Sequence, residues 1–245
     1  YSMANHNQIT HETLLAVCKP IHFVDKPKRL IRLGPGDNHR HTASVFLLHG
    51  FGDNAAGWFE PAMWWAERLP HVRFILPTAP VSVTMGTTSW FDFGGSGVVE
   101  TTLAESLKNL TAMLSDEESV VDSSRIVVAG FSQGGALAYH LGLTRTSAPL
   151  GGVIAMSTFL HGKASTSVAD TVLSTPVLIC HGTEDDRIPG GVAGAQLARN
   201  KLAGFGVKDL QLKIYDGMGH SACDDELYDV LLWLQRVLPE VQSKL

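Results

Sequence analysis

A serine at the centre of a glycine-flanked motif is the clearest candidate for covalent chemistry in this sequence. Residues 130–134 read Gly-Phe-Ser-Gln-Gly, so Ser132 has a glycine two positions before it and another two positions after it. A sharp turn from a strand into a helix exposes such a serine, and glycines at the flanking positions avoid clashes of a Cβ with the turn. The motif predicts a nucleophile for acyl transfer. The alternative is a serine that only caps a helix, but a cap does not require the two flanking glycines and a third at Gly135.

A serine hydroxyl needs a base at neutral pH, and eleven histidines compete for that role. We choose His220, because it follows the last strand pattern in a glycine-containing loop and precedes the last helix pattern. A serine nucleophile on such a turn is followed along the chain by the acid and then by the base, each on a loop after a strand. His49 and His181 stand before glycine at strand ends, where we expect buried hydrogen-bonding roles. His71 has the sequence context of a surface or edge residue.

The acid that orients this histidine is predicted in the loop after the strand that ends at Cys180. That loop offers three acidic residues in succession, Glu184, Asp185 and Asp186, and their proximity alone does not separate them. Asp216 and Asp224 are nearer to His220 along the chain but do not follow the expected strand.

The elements that must position these side chains alternate along the whole chain. Short apolar runs rich in β-branched residues predict strands at 44–48, 72–76, 125–129, 153–156, 176–180 and 210–215. Helical patterns cover about 61–67, 98–115, 134–143, 190–202 and 225–238. Residues 21–24 and 30–33 are expected to add an antiparallel edge. The alternation predicts one α/β domain over residues 1–245, with a mostly parallel central sheet and helices on both of its faces.

Composition limits the classes of function. The chain has 245 residues, 44% of them hydrophobic, and a net charge of -5, which gives no basic face for nucleic acid. No apolar run is long enough to span a bilayer. The three cysteines, at positions 18, 180 and 223, do not form a disulfide framework, so we expect a reducing, cytoplasmic compartment. The first three residues are interpreted as an expression remnant.

Several segments together resemble the acyl-protein thioesterases, in the carboxylesterase/lysophospholipase branch of the α/β hydrolases. The resemblance runs from Leu47 to Pro239 and rests on six stretches: 48–53 (LHGFGD), 77–80 (PTAP), 89–92 (SWFD), 130–137 (GFSQGGAL), 180–189 (CHGTEDDRIP) and 217–221 (GMGHS). It implies the α/β-hydrolase fold, with Ser132 as nucleophile and His220 as base. The family motif HG-x-x-D-x-x-[VI]-P places the catalytic acid on Asp185. The resemblance also implies an oxyanion hole made by the backbone N–H groups of Phe51 and Gln133, as expected for a nucleophile elbow.

Substrate choice is where the chain departs from these relatives. The segment after Asp92 is a short, glycine-rich stretch at Gly94–Gly97, where the family carries a longer acidic insert, and Asp186 and Arg187 replace a proline and an apolar residue. Candidates for an acyl-binding groove stand on loops after strands: Met85, Trp90, Phe91, Phe159, Leu160 and, at its border, Arg187. For each apolar candidate, core packing is the alternative.

The resemblance implies hydrolysis of long acyl thioesters on proteins or of lysophospholipids, with no cofactor and no metal. The expected partners are those substrates. We expect the protein to be a monomer or weak homodimer that contacts membranes transiently. A general carboxylesterase for small soluble esters would share the same triad. A non-catalytic binding module of the same fold is the alternative from another class.

Overall fold

The structure is a computed structural model, and it describes residues 23–25, 29–35, 41–95 and 97–241. The side chains of residues 23–25 are outside that description, as are Ile21, His22, Cys18 and the first three residues. The prediction that residues 1–245 form one domain therefore stays a prediction for the two ends of the chain.

Eight strands form the main sheet of the described residues. They are β1 (Phe23–Asp25), β2 (Leu30–Leu33), β3 (Ala43–Leu48), β4 (Val72–Pro77), β7 (Ile126–Phe131), β8 (Gly152–Met156), β9 (Val177–Gly182) and β10 (Leu210–Tyr215). Their order is β1-β2-β4-β3-β7-β8-β9-β10. β1 and β2 pair antiparallel and β2 joins β4 antiparallel, while the six strands β4-β3-β7-β8-β9-β10 run parallel. The predicted antiparallel edge and the predicted parallel sheet are both confirmed.

Five α-helices in the described part of the chain follow the predicted pattern within a few residues. They are α1 (Phe59–Arg68), α2 (Glu100–Glu118), α3 (Gln133–Leu143), α4 (Gly191–Gly204) and α5 (Asp224–Val237). The helix predicted from residue 98 begins two residues later, because Gly97–Val98 forms strand β6 and pairs with strand β5 (Phe93–Gly94). Residue 125 belongs to a 3₁₀ turn (Ser123–Arg125), so β7 starts one residue after its prediction.

Alternation along the central strands divides the core into two layers. On β3, Phe46 and Leu48 pack with α2, α3 and α4, whereas Val45 and Leu47 face the opposite side. That side is covered by α1 and α5, with Trp65 and Trp233 among its buried side chains. Successive side chains of a strand point to opposite faces, so a strand that is apolar throughout must be covered on both. All six residues of β3 are buried, as this requires.

Candidate active site

Ser132 lies on a sharp turn between β7 and α3 and has a backbone conformation that non-glycine residues rarely adopt. Its φ is 53° and its ψ is -118°. Such a conformation costs about 1–3 kcal/mol, so the surrounding structure must hold it. The Ser132 N–H donates to the Met156 carbonyl at 2.9 Å, which ties the turn to the end of β8.

The glycines around Ser132 are required by close backbone approaches. A Cβ at Gly130 would collide with the Gly134 carbonyl, and a Cβ at Gly134 would collide with the Leu48 carbonyl. A Cβ at Gly135 would press on the side chain of Thr158. The helix therefore lies directly against β3 and β7, and the turn is held from both sides.

His220 lies between Ser132 and Asp185. Its Nε2 is 3.0 Å from Ser132 Oγ, and its Nδ1 is 3.0 Å from Asp185 Oδ2. With the proton on Nδ1, the ring donates to the carboxylate and accepts from the serine hydroxyl. The ring of Phe131 packs against the imidazole at 4.8 Å between centroids and itself packs on Trp58 at 5.7 Å. The two hydrogen bonds and this ring contact orient the imidazole.

Asp185 is buried, and hydrogen-bond donors surround its carboxylate. Its Oδ1 accepts from the backbone N–H groups of Arg187 at 3.0 Å and Ile188 at 3.2 Å, and its Oδ2 faces His220. Burial acts to raise the pKa of Asp185, but the hydrogen bonds and the charge of His220 outweigh it, so the pKa lies below its usual value. A carboxylate of this kind stays ionised and can hold a histidine in one tautomer.

The other acidic candidates lie apart from the imidazole. Glu184 and Asp186 are exposed on either side of Asp185. Asp216 is exposed and accepts from the Thr183 hydroxyl at 3.2 Å, and Asp224 is exposed at the start of α5. Of the acidic residues weighed in the sequence, Asp185 is the one the structure brings to His220.

Two backbone amides beside the serine have no acceptor in the described part of the chain. They are the N–H groups of Phe51, in the turn after β3, and Gln133, the first residue of α3. Both residues line the same cavity as Ser132. Free amides at a helix N-terminus are suited to an anion, because the helix dipole adds to their partial charges.

The side chains of His49, Trp90 and Gln133 connect the two turns that carry these amides. His49 Nε2 accepts from the Ala79 N–H at 3.0 Å, and its Nδ1 lies 2.6 Å from the Gly50 carbonyl. Trp90 Nε1 donates to the His49 carbonyl at 2.8 Å, while the Gln133 amide group accepts from the Trp90 N–H at 2.8 Å. The buried hydrogen-bonding role predicted for His49 is confirmed. Sequence reasoning did not assign positioning roles to Trp90 or to the Gln133 side chain.

A cavity of about 730 Å³ opens at Ser132 and His220. Apolar and aromatic side chains make up most of its walls, and a few polar groups stand among them. The lining residues are Gly50, Phe51, Asp53, Phe93, Gly97, Val98, Phe131, Ser132, Gln133, Phe159, His161, Arg187, Ile188, Pro189 and His220. A volume of this size is typical of sites for small-molecule or acyl ligands.

The structure brings some of the predicted groove residues to this cavity and places others elsewhere. Phe159 and Arg187 line it. Trp90 and Phe91 are buried in the core layer of α2 and α3, and Leu160 packs against the same layer. Met85 is half-buried in a turn, where its N–H donates to the Ser82 hydroxyl. Core packing, the alternative reading, therefore describes Trp90, Phe91 and Leu160 better. Phe93, Val98 and His161 were missed, because a hairpin and a loop distant in sequence bring them there.

Two histidine interpretations need correction. His71 is buried, and its Nε2 donates to the Leu238 carbonyl at 2.8 Å, so it is not a surface residue. His181 is fully buried as expected, but neither ring nitrogen has a hydrogen-bond partner in the described residues. Its Nε2 is 3.4 Å from Asp185 Oδ2 without hydrogen-bond geometry, and because burial lowers the pKa of His181, the contact is not an ion pair at neutral pH.

Neither a metal cluster nor a membrane-spanning helix is found in the described ranges. Those residues contain no group of three or more histidine, cysteine or acidic side chains that could hold a metal ion. None of their helices is both long and apolar enough to cross a bilayer.

The parallel sheet covered on both faces, with a serine on the turn after its central strand β7, defines the fold as that of an α/β hydrolase. The family model described as Phospholipase/Carboxylesterase matches residues 36–238. The chain belongs to this family.

Named relatives agree with the assignment. The chain is 35% identical over 234 residues to acyl-protein thioesterase 1 of Mycosarcoma maydis, covering 84% of this chain and 96% of that protein. It is 37% identical over 223 residues to acyl-protein thioesterase 1 of Gibberella zeae, covering 82% and 92%. The crystal structure of Zea mays acyl-protein thioesterase 2 superposes with a TM-score of 0.67 at 25% identity, covering 85% of this chain and 98% of the other.

Proposed function

We propose that this protein is a serine hydrolase that cleaves long-chain acyl thioesters and oxyesters, from acylated cysteines of proteins or from lysophospholipids. The observation that carries the proposal is the hydrogen-bonded series Ser132–His220–Asp185, of which Ser132 and His220 line a largely apolar cavity. The names of the relatives support the thioesterase reading.

Ser132 would attack the acyl carbonyl while His220 removes its proton. The 3.0 Å contact between Ser132 Oγ and His220 Nε2 is within reach for this transfer. The imidazolium that forms gains stability from Asp185, which stays ionised and does not take the proton. These side chains need not move far for the transfer, because both hydrogen bonds are already formed.

The Phe51 and Gln133 amides would hold the oxyanion of the tetrahedral intermediate. Donors already aimed at developing charge cost no reorganisation, and one such donor is worth about 10²–10³ in rate. His220 would then protonate the leaving sulfur or oxygen. Water attacks the acyl-serine by the same route and releases the acid.

The walls of the cavity favour an acyl chain over a small polar ester. Phe51, Phe93 and Phe159 contribute aromatic surface, and Val98 and Ile188 add aliphatic surface. Each methylene of a chain that leaves water for such a wall contributes about 0.8 kcal/mol. The rate is therefore expected to rise with chain length until the cavity is filled.

A covalent probe and a substrate panel test this proposal. A fluorophosphonate should label the wild type and not Ser132→Ala, which lacks the nucleophile; circular dichroism would check that the variant is folded. A panel of oxyesters and thioesters, with acyl chains from acetyl to palmitoyl, should give the highest kcat/KM for long chains and measurable thioester cleavage. Absence of labelling would favour a non-catalytic binding module. Highest rates for acetyl to butyryl esters, without thioester cleavage, would favour a general carboxylesterase.

We also propose a cytoplasmic location and a monomeric or weakly dimeric state, with membrane contact only while substrate is bound. The location is supported by the cysteine usage, since Cys180 and Cys223 carry free thiols. Sedimentation over a range of concentrations and flotation with lipid vesicles would test the other two points.

A further inference from the structure

Arg187 is a positive charge in the catalytic cavity without an ionic partner. Among the residues that line the cavity, it is the one lysine or arginine. Its side chain is exposed, and its guanidinium makes no salt bridge or hydrogen bond within the part of the chain that the structure describes. The chain as a whole has a net charge of -5, so its net charge does not attract anions to this site.

The backbone of Arg187 is held while its side chain is free. Its N–H donates to Asp185 Oδ1 at 3.0 Å, and the next residue, Ile188, is buried and donates to the same oxygen. The base of the side chain therefore has a defined position next to the catalytic acid. Any replacement other than proline keeps this backbone hydrogen bond, so the side chain can be tested separately from the triad.

The sheet order places Arg187 on the side of the serine from which the leaving group departs. Phe51 follows β3 on one side of β7, whereas Arg187 follows β9 and His220 follows β10 on the other side. In acyl transfer, the histidine protonates the leaving atom, so the leaving group must lie next to the imidazole. Arg187 stands two residues beyond the carboxylate that holds this imidazole.

Asp53 is the one carboxylate among the lining residues, and it lies in the turn after β3, on the opposite side of β7 from Arg187 in the sheet order. It accepts from the Asn54 N–H at 2.7 Å, and His161 Nε2 lies 3.1 Å from Glu100 Oε1. Because Arg187 is exposed, its attraction for an anion is screened by water and salt, and we expect it to change a rate ratio by about tenfold at most. Arginine also offers a planar fork of donors that matches a carboxylate or a phosphate.

We propose that Arg187 makes this enzyme prefer acyl esters and thioesters whose leaving group carries an anionic group, a carboxylate or a phosphate. The proposal rests on the proposed acyl hydrolase function and adds a substrate class to it. Carboxylate and phosphate share the same recognition chemistry. They could come from an acidic residue next to an acylated cysteine or from the phosphate of a lysophospholipid.

The test compares matched anionic and neutral substrates with the same octanoyl chain. One arm uses S-octanoyl cysteine peptides with aspartate or asparagine beside the cysteine, and the other uses octanoyl glycerol phosphate against octanoyl glycerol. The readout is the ratio of kcat/KM between the two members of a pair, because a general loss of activity cancels in that ratio. In at least one arm we expect the wild type to prefer the anionic member by about five- to tenfold at low salt, and less at high salt.

Three variants should change this ratio in a defined order. Arg187→Gln should bring it close to one, and Arg187→Glu should bring it below one. Arg187→Lys should keep part of the preference, since it retains the charge but not the planar fork. Arg199→Gln is the control, because Arg199 is exposed on α4, away from the cavity lining, and its replacement removes the same charge.

Each outcome decides a separate point. A preference that depends on Arg187 in one arm identifies carboxylate or phosphate as the source. A ratio of about one for the wild type in both arms, a ratio unchanged in Arg187→Gln, or an equal change in Arg199→Gln overturns the proposal. If the wild type hydrolyses none of the four substrates, the proposed function fails; if it hydrolyses them all without discrimination, only the role of Arg187 fails.

Discussion

The catalytic centre and the wall of its cavity are built by different means. At the centre, glycines in backbone contact hold the serine turn, and the Asp185 carboxylate is buried with its donors in place. In the wall, Phe51 and Phe93 remain 43% and 42% exposed and touch each other edge to face. Small changes at the centre should therefore abolish the reaction, whereas changes in the wall should alter the choice of substrate by degrees.

Two buried carboxylates differ in whether hydrogen-bond donors surround them. Asp185 accepts three hydrogen bonds, and its pKa is lowered from the ordinary value of 3.8. Its ionised form therefore stabilises the fold at pH values above 3.8, and this contribution is lost as the pH falls through the lowered pKa. Glu226, on α5 just after the His220 loop, is fully buried, and neither of its oxygens has a partner in the described residues. Burial raises the pKa of Glu226 to about 8.

The largest effect is expected at the acid. Asp185→Asn should lower kcat by about 10⁴-fold, because an asparagine favours the wrong tautomer of His220. Asp186→Asn is the matched control at the exposed neighbouring position and should change kcat less than about threefold. Steady-state kinetics on one thioester would check both variants. The reverse pattern would move the catalytic acid to Asp186.

The serine turn should tolerate no added methyl group. Gly134→Ala places a Cβ against the Leu48 and His49 carbonyls, so α3 must move and carry the Gln133 amide with it. We expect kcat to fall by about 10²–10³, the range for one lost oxyanion donor. Gly204→Ala is the control at the end of α4, where a Cβ meets nothing within 4 Å. Kinetics together with circular dichroism would separate this from unfolding; full activity in Gly134→Ala would contradict the close approach.

Glu226→Gln should change stability in a pH-dependent way. Glu226 has a folded pKa above its ordinary value of 4.5, so its contribution to stability is complete below about pH 4.5 and is lost as the pH rises towards 8. A glutamine at this position stays neutral at every pH, so the variant does not lose stability from this site as the pH rises. The gain in the free energy of unfolding should therefore be larger at pH 8.5 than at pH 5, by on the order of a few kcal/mol.

Urea unfolding at the two pH values would measure this difference. Glu105→Gln, at an exposed position on α2, should show no such difference between them. A gain from Glu226→Gln that is equal at both pH values would mean that Glu226 is ionised in the folded protein.

The smallest effect is expected in the wall. Phe159→Ala should lower kcat/KM for palmitoyl substrates by about tenfold and leave acetyl substrates nearly unchanged, because only a long chain covers the lost aromatic surface. Leu160→Ala is the neighbouring control, since Leu160 packs against the core and does not line the cavity. A chain-length series would compare them. An equal shift in both variants would contradict the placement of Phe159.

Local sequence was sufficient to predict those elements whose structure depends on one contiguous segment. The strand before Ser132, the glycines around it and the helix after it predict the turn without knowledge of distant residues. The same holds for the five helices and for the main strands, because contiguous helical patterns and short apolar runs predicted them within a few residues. Residues 184–186 show the limit: all three are acidic and adjacent, and only the family resemblance selected Asp185.

The sequence by itself determined the class of fold and the candidate nucleophile and base, since these depend on contiguous patterns. Tertiary structure decided which side chains face the cavity. Trp90 and Phe91 are apolar residues on a loop, as Phe159 is, but Trp90 is bound to the His49 carbonyl and to the Gln133 side chain and lies in the core. Burial depends on what packs against a residue from elsewhere in the chain. The chemical type of an apolar residue does not determine whether it lines the cavity or packs in the core. A local sequence pattern therefore cannot distinguish the two positions.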